Sequence, residues 1–265
     1  MASSPQNQLA QSLKALHNPG NPLILTNVWD AITANAIASL PSTKALATAS
    51  YAIAAAAGLH DDDLTLETNL RAATAIAGVA KVHNLPLSVD FMDGFGAQLE
   101  EGVKRVIELG AVGINLEDFG REVGGLYSVD EASERVRRVL RVAKECGVPD
   151  FVVNARTDAL FAGEGLEDAI VRGKAYLDAG ASNIFIWGGP QRRGWGRAEV
   201  KKAVDALDGK VNVILIRMMA GGLSVGELRE IGVARISVGP QLMLRTVEMV
   251  KREAVGILDG SAVTD

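Results

Sequence analysis

Eight short apolar runs recur along this chain, at residues 22–27, 44–49, 86–91, 111–117, 150–156, 183–187, 211–216 and 234–238. Each is shorter than an ordinary helix and rich in Val, Ile, Leu or Ala, so each reads as a strand buried on both faces. Longer stretches with apolar residues at helical spacing lie between them, at 67–82, 98–109, 128–146, 165–179 and 197–207. In Glu101-Gly102-Val103-Lys104-Arg105-Val106-Ile107-Glu108-Leu109 the apolar positions share one helical face and the charges take the other. Gly110, Gly147, Gly180 and Gly232 each stand just before a strand, where a helix wants a left-handed cap. Eight strand-helix units without a break in composition predict an α/β fold, a single (β/α)8 TIM barrel over residues 1–265. A leading helix falls within residues 1–20, an eighth helix runs from Gln241 to Leu258, and residues 259–265 form a polar tail. An open, doubly wound sheet is the alternative.

Hydrophobic residues make up 48% of the chain, enough for a large core, and the formal net charge is −5. That balance offers no basic stripe for nucleic acid. Cys146 is the only cysteine, which excludes an intrachain disulfide and a cysteine-built zinc cluster. Its place before Gly147-Val148-Pro149, at a helix end, marks it as a structural thiol. No apolar stretch is long enough to span a bilayer. A cytoplasmic protein acting at no membrane is expected.

In a parallel barrel the C-terminal ends of all strands meet at one mouth, where active sites are built. Three runs release their polar residues only there: Leu87-Ser88-Val89-Asp90, Gly113-Ile114-Asn115-Leu116-Glu117-Asp118 and Phe151-Val152-Val153-Asn154-Ala155-Arg156. Asp90 and Glu117 are therefore expected to face a hard cation such as Mg²⁺, which takes one or two protein carboxylates and several waters. Arg156, with Asn154 before it, suits a substrate carboxylate, or a structural ion pair with Glu117 or Asp158. Asp93 is either a further acid of the site or a helix cap. Asn27, Trp29 and Asp30 follow the first strand and are either ligand contacts or a cap beside a core tryptophan. Ser50 and Tyr51 open the small-residue run to Gly58, which lets backbone amides approach a carboxylate or else starts an alanine-rich helix. Asp61-Asp62-Asp63 is a solvated charge run from which one acid can lean into the mouth. Trp187 can wall the mouth, and Arg217, at the end of strand seven, is placed for a second anion contact. Arg192, Arg193 and Arg197 read as a local, solvated cluster.

Asn27-Val28-Trp29-Asp30-Ala31, the Ser50 segment, Asp90-x-x-Asp-Gly-Phe-Gly, Ile114-Asn115-Leu116-Glu117-Asp118, Asn154-Ala155-Arg156-Thr157-Asp158 and Ile236-Ser237-Val238-Gly239 together resemble the isocitrate lyase/phosphoenolpyruvate mutase superfamily, in order from about residue 22 to 250. The pattern looks most like its short, poorly characterised fungal and bacterial members. The resemblance implies a Mg²⁺-dependent (or Mn²⁺-dependent) barrel that breaks C–C or P–C bonds next to 2-oxo or 2-hydroxy acids through a metal-held enolate. It implies Asp90, Glu117 and one acid of the run, Asp61, on the metal side, and Arg156 gripping the substrate carboxylate. Ser50 and its neighbours would hold the other end of the substrate, a small carboxylate. It also implies a homo-oligomer, dimer or tetramer, with the last helix packed on or exchanged with a neighbouring barrel. Two departures stand out. Met92 occupies a position where the family usually has a second acid, which should weaken Mg²⁺ binding. The lyase members' Lys-Lys-Cys-Gly-His lid is replaced by Phe119-Gly120-Arg121-Glu122-Val123-Gly124-Gly125-Leu126-Tyr127, leaving Tyr127, Glu122 or Arg121 to act in its place. C–C cleavage or hydrolysis is the favoured expectation; phosphonopyruvate chemistry, or a barrel that binds a metabolite or serves as a scaffold without turnover, are its rivals.

Overall fold

The structure, a computed structural model, describes residues 4–189, 196–216 and 222–260. Eight parallel strands form one sheet: β1 (Leu23–Leu25), β2 (Leu46–Ala47), β3 (Leu87–Asp90), β4 (Gly113–Glu117), β5 (Val152–Thr157), β6 (Asn183–Ile186), β7 (Val211–Ile214) and β8 (Arg235–Ser237). From β2 to β8 each pairs with the next in sequence, and β8 pairs with β1. The ring closes at a single parallel bridge between Val28, just past β1, and Thr48, just past β2. There Val28 N donates to Ala47 O at 2.8 Å and Ala49 N to Val28 O at 3.2 Å. This is the expected barrel, nearly closed, and not the open sheet. Every apolar run contains a strand, trimmed at its ends where the chain leaves the ladder for a loop.

The long crossovers are α4 (Leu66–Val82), α5 (Leu99–Glu108), α6 (Val129–Glu145), α7 (Leu166–Asp178) and α8 (Arg197–Ala206), as the periodicity predicts. Three short helices have no such signal: α2 (Ala31–Ala38), α3 (Ser50–Ala56) and α9 (Val225–Ile231). The leading helix α1 spans Pro5–Leu16, opening earlier than Gln8 because the Ser4 hydroxyl caps Asn7 N at 3.1 Å and proline fits the first turn. It lies across the N-terminal ends of the strands, where Gln6 Nε2 donates to Ile107 O and Ala111 O at 2.8 and 3.0 Å. This helix is the barrel floor. After β4 a two-stranded antiparallel hairpin, Phe119–Gly120 with Gly125–Leu126, folds over the mouth.

The final helix α10 (Gln241–Leu258) buries only Gln241 and Met243. Leu244, Val247, Met249, Val250, Val255, Ile257 and Leu258 stay exposed, as does Ile24 on β1. Among the described residues no helix is long and apolar enough to cross a membrane.

Candidate active site

Asp90 ends β3 on the inward pleat, and its carboxylate is held from two sides. Ser50 N, opening α3, donates to Oδ2 at 2.9 Å, and Asn115 Nδ2, on β4, donates to Oδ1 at 3.1 Å. The backbone is fixed as firmly: Asp90 N donates to Thr48 Oγ1 at 2.7 Å, and Asn69 Nδ2 donates to Asp90 O at 3.0 Å. One inward row nearer the mouth, Glu117 on β4 is in register with Arg156 on β5. Arg156 Nη1 meets Glu117 Oε1 at 2.6 Å, while its Nε and Nη2 meet Asp158 Oδ1 at 2.8 and 2.7 Å. The Trp187 ring covers the guanidinium at 4.1 Å. The ion pairs offered as the bland reading of Arg156 are thus both present, and they fix the guanidinium at the mouth.

Of the three acids in the Asp61–Asp63 turn, Asp61 is the one that reaches the site. Its carboxyl is pushed up to about 6, by burial first and by the Asp90 charge next, with Arg156 and a Ser50 hydrogen bond opposing. Burial likewise raises Glu117 well above the usual carboxylate range; Arg156 opposes this, and Asp158, Asp90 and Asp61 add to it. Burial would lower Arg156, but Asp158 and Glu117 outweigh it and hold the cation charged. Four acids thus act on a single guanidinium, and Asp61 Oδ1 is buried without a hydrogen-bond partner among the described residues. That surplus of half-buried carboxyl groups fits a divalent cation. Among the described residues no three His, Cys, Asp or Glu are grouped so that they could hold a metal ion by themselves. The donor set suits an ion that keeps most of its waters, as Mg²⁺ does, and not a fully protein-ligated one.

Other candidates lie outside this cluster. Asn27 is spent on the barrel seam: its Nδ2 donates to Thr48 O at 2.7 Å, and its Oδ1 accepts from Val238 N and Gly239 N at 3.0 and 2.9 Å. Trp29 packs with Ala49, Ala52 and Met243, and Asp30 caps α2 through Thr33 N at 2.7 Å. These are the contacts that the cap and core-tryptophan alternative describes. Asn154 is buried between Asn115 and Asn183, to which it is bonded, below the mouth and not at it. Tyr51 is half exposed on α3. Met92 is buried in a left-handed conformation, φ 49°, and gives its carbonyl to Glu117 N at 2.8 Å. Arg217, Arg192 and Arg193 lie outside the described residues.

The hairpin is pinned. Arg121 donates to Asp93 through Nε and Nη2 at 3.2 and 3.0 Å, and through Nη1 to Asp62 O and Leu64 O at 3.1 and 2.8 Å. Asp93 also accepts from Arg121 N and Phe95 N, so it serves the loops and not the acid cluster. Tyr127 is buried, with Arg135 over its ring at 4.5 Å and its hydroxyl donating to Glu122 at 3.2 Å. Burial pushes its phenol up to about 12, with Arg135 opposing. None of these contacts brings Tyr127 to Asp90, Glu117 or Arg156. The sequence reading missed Thr48, Asn69 and the role of Asn115. A signal was present: Asn115, Asn154, Asn183 and Asn212 each interrupt an apolar strand.

A parallel barrel that gathers acids and an arginine at its strand ends has the layout on which barrel enzymes build their sites. The sequence profile of phosphoenolpyruvate phosphomutase matches residues 13–258, and the chain belongs to that family. It is 38% identical over 141 residues to 2-methylisocitrate lyase of Escherichia coli K12, a match covering 49% of this chain but only 46% of that enzyme. A solved protein of Burkholderia cenocepacia J2315, provisionally assigned as a phosphonomutase, superposes with a TM-score of 0.83 at 32% identity, covering 97% of this chain and 100% of the other. Phosphonopyruvate hydrolase, solved with oxalate and Mg²⁺, superposes with a TM-score of 0.81 at 25% identity, covering 96% and 88%. The named relatives thus include a C–C lyase and enzymes of phosphonate chemistry.

Proposed function

We propose that this chain is a Mg²⁺-dependent lyase or hydrolase of the cytoplasm that breaks a C–C bond next to a 2-oxo or 2-hydroxy acid through an enolate. The observation that carries this reading is the surplus of half-buried acid, Asp61, Asp90 and Glu117, around the fixed guanidinium of Arg156. Asp90, with Asp61 and Glu117 around it, would hold the metal. Mg²⁺, when bound, supplies positive charge opposite the oxygen where an enolate's charge develops. Arg156 has five N–H groups, of which three are taken by Glu117 and Asp158, leaving two for a substrate carboxylate. Trp187 shields that guanidinium from water on one face, which strengthens its field. Ser50, pinned between Asp90 and Asp61, marks the opposite wall.

The direct test is calorimetric titration with Mg²⁺, with and without oxalate as an enolate mimic, on wild type and Asp90→Ala. Binding that requires both Mg²⁺ and Asp90 is expected, with a loss of about 100-fold or more in the variant. Absence of Mg²⁺-linked binding in the folded wild type would leave a metabolite-binding or scaffold barrel. The hairpin's lack of a thiol favours phosphonopyruvate chemistry as the second reading, and phosphorus-31 NMR of phosphonopyruvate turnover separates the two.

The exposed apolar residues of α10 support a homo-oligomer in which this helix lies on a neighbouring barrel. A dimer or tetramer is expected by light scattering; a monomer at micromolar concentration would refute it.

A further inference from the structure

Asp90, Asn115, Asn154 and Asn183 occupy one register row on the inward pleat of four consecutive strands. Barrel strands are tilted and staggered, so such a row descends as it crosses them. Asp90 is the last residue of β3, Asn115 and Asn154 are third in β4 and β5, and Asn183 is the first residue of β6. The row therefore runs from the mouth towards the floor. Each rung is a side-chain hydrogen bond: Asn183 Nδ2 donates to Asn154 Oδ1 at 3.0 Å, Asn154 Nδ2 to Asn115 Oδ1 at 2.7 Å, and Asn115 Nδ2 to Asp90 Oδ1 at 3.1 Å. A carboxylate oxygen accepts, so Asn115 must present its NH₂ to Asp90, and that choice fixes the orientation of every amide below it. The three amide dipoles consequently align head to tail, positive end on Asp90, and aligned bonds polarise one another.

Packing alone does not call for this arrangement. Leu or Val would fill a barrel interior without the desolvation that a buried amide suffers. Here Asn154 and Asn183 are fully buried, and the last oxygen of the ladder, Asn183 Oδ1, has no partner among the described residues. Asn212 on the next strand gives the contrast. It is as buried as Asn183 and its Oδ1 likewise has no partner among the described residues, yet it donates to Ser237 Oγ at 3.0 Å and stands outside the ladder.

We propose that Asn115, Asn154 and Asn183 are positioning residues, an amide ladder that fixes the Asp90 carboxylate for a divalent cation, so that a residue deep in the barrel governs metal affinity at the mouth. This rests on the reading of Asp90 as the metal-side acid. The test compares Mg²⁺ affinity in the presence of oxalate for the full chain, Asn183→Leu, Asn183→Ala and Asn212→Ala, each checked for a native melting transition. Both Asn183 variants are expected to bind Mg²⁺ about tenfold more weakly, as loss of an outer hydrogen-bond partner does in other metal sites. Asn212→Ala should stay within about twofold of wild type on the same grounds. In the wild type, the side-chain amide ¹⁵N resonances of Asn154 and Asn183 should move on adding Mg²⁺ and oxalate while that of Asn212 does not. Equal losses in the Asn183 and Asn212 variants, or three unmoved amides in a wild type that binds, overturn the ladder alone. A wild type that binds no Mg²⁺ with oxalate overturns the ladder and the reading beneath it.

Discussion

The mouth and the floor of the barrel both carry unbalanced charge, of opposite sign. At the mouth Asp61, Asp90, Glu117 and Asp158 act on the single guanidinium of Arg156. At the floor Arg235 is buried, and among the described residues its Nε is unpartnered and its side-chain hydrogen-bond contact is His17 Nε2 at 3.4 Å. Burial pulls Arg235 down to about 10, with Asp90 opposing. His17, whose Nδ1 bonds Leu13 O at 2.8 Å, is pulled down to about 3 by burial first and by Arg235 next. The two imbalances have different outlets. The floor lies under α1, so its charge must be tolerated or neutralised in place. The mouth opens to solution, where a cation and an anionic substrate can restore the balance. Similar burial thus marks structural cost at one end and a place for ligands at the other.

Removing the cation at each end should have opposite consequences. The larger effect belongs to the mouth. Arg156→Met strands Glu117 and Asp158, and a broken buried pair costs about 3–5 kcal/mol. The sign of its pH dependence follows from the raised carboxyls. The native state keeps protons that the unfolded chain has released, so stability falls as pH rises through and above the ordinary carboxylate range. Denaturant melts of the variant should therefore recover part of the loss on going from pH 7 to pH 5. A variant as stable as wild type at pH 7 would show that the acids are not confined as described.

The strand ends that build the mouth were legible because an apolar run closing on Asp90, Glu117 or Arg156 has few other uses. That argument alone did not show Asn27 bonded into the barrel seam or Trp29 packed on Ala49, Ala52 and Met243. The seam between β1 and β2 has a single bridge, so Asn27 is consumed in closing the ring, which only the three-dimensional partners reveal. Of the helices α2, α3 and α9, of eight, seven and seven residues, the first two, alanine-rich all round, entered only as alternatives at Asp30 and Ser50, and the third is too short for a periodic signal. The amide ladder was invisible for another reason. Each Asn appears in its own strand, and the row joining them depends on register, which one strand does not encode.

At the floor Arg235→Met should leave stability unchanged or raise it by about 1 kcal/mol, since an unpaired buried charge gives way to an apolar side chain. The acid limb is the sharper readout. Below pH 6.5 the unfolded chain takes up a proton that native His17 refuses until about pH 3. His17's contribution is thus complete above pH 6.5 and lost as pH falls towards 3. Arg235→Met relieves the repulsion that helps hold His17 down, so its loss of stability across that window should be shallower than in wild type. A steep fall in melting temperature at neutral pH would show instead that Arg235 is balanced within the barrel, and the contrast with the mouth would fail.

The smallest effect concerns the hairpin. Tyr127→Phe removes one hydrogen bond, to Glu122 at 3.2 Å, worth about 0.5–1.5 kcal/mol. Arg121 and Asp93 still pin the hairpin, and Arg135 still packs on the ring. A phenol held near 12 is a weak proton donor at neutral pH, and no contact of Tyr127 reaches the acid cluster. Mg²⁺-linked oxalate binding should therefore be unchanged, with turnover of whichever substrate is found reduced less than about twofold. A drop of a hundredfold or more with an unaltered melt would reverse the assignment, since a lost hydrogen bond of this size cannot account for it. The proton would then come from the hairpin above the mouth, and the strand ends alone would not make the active site.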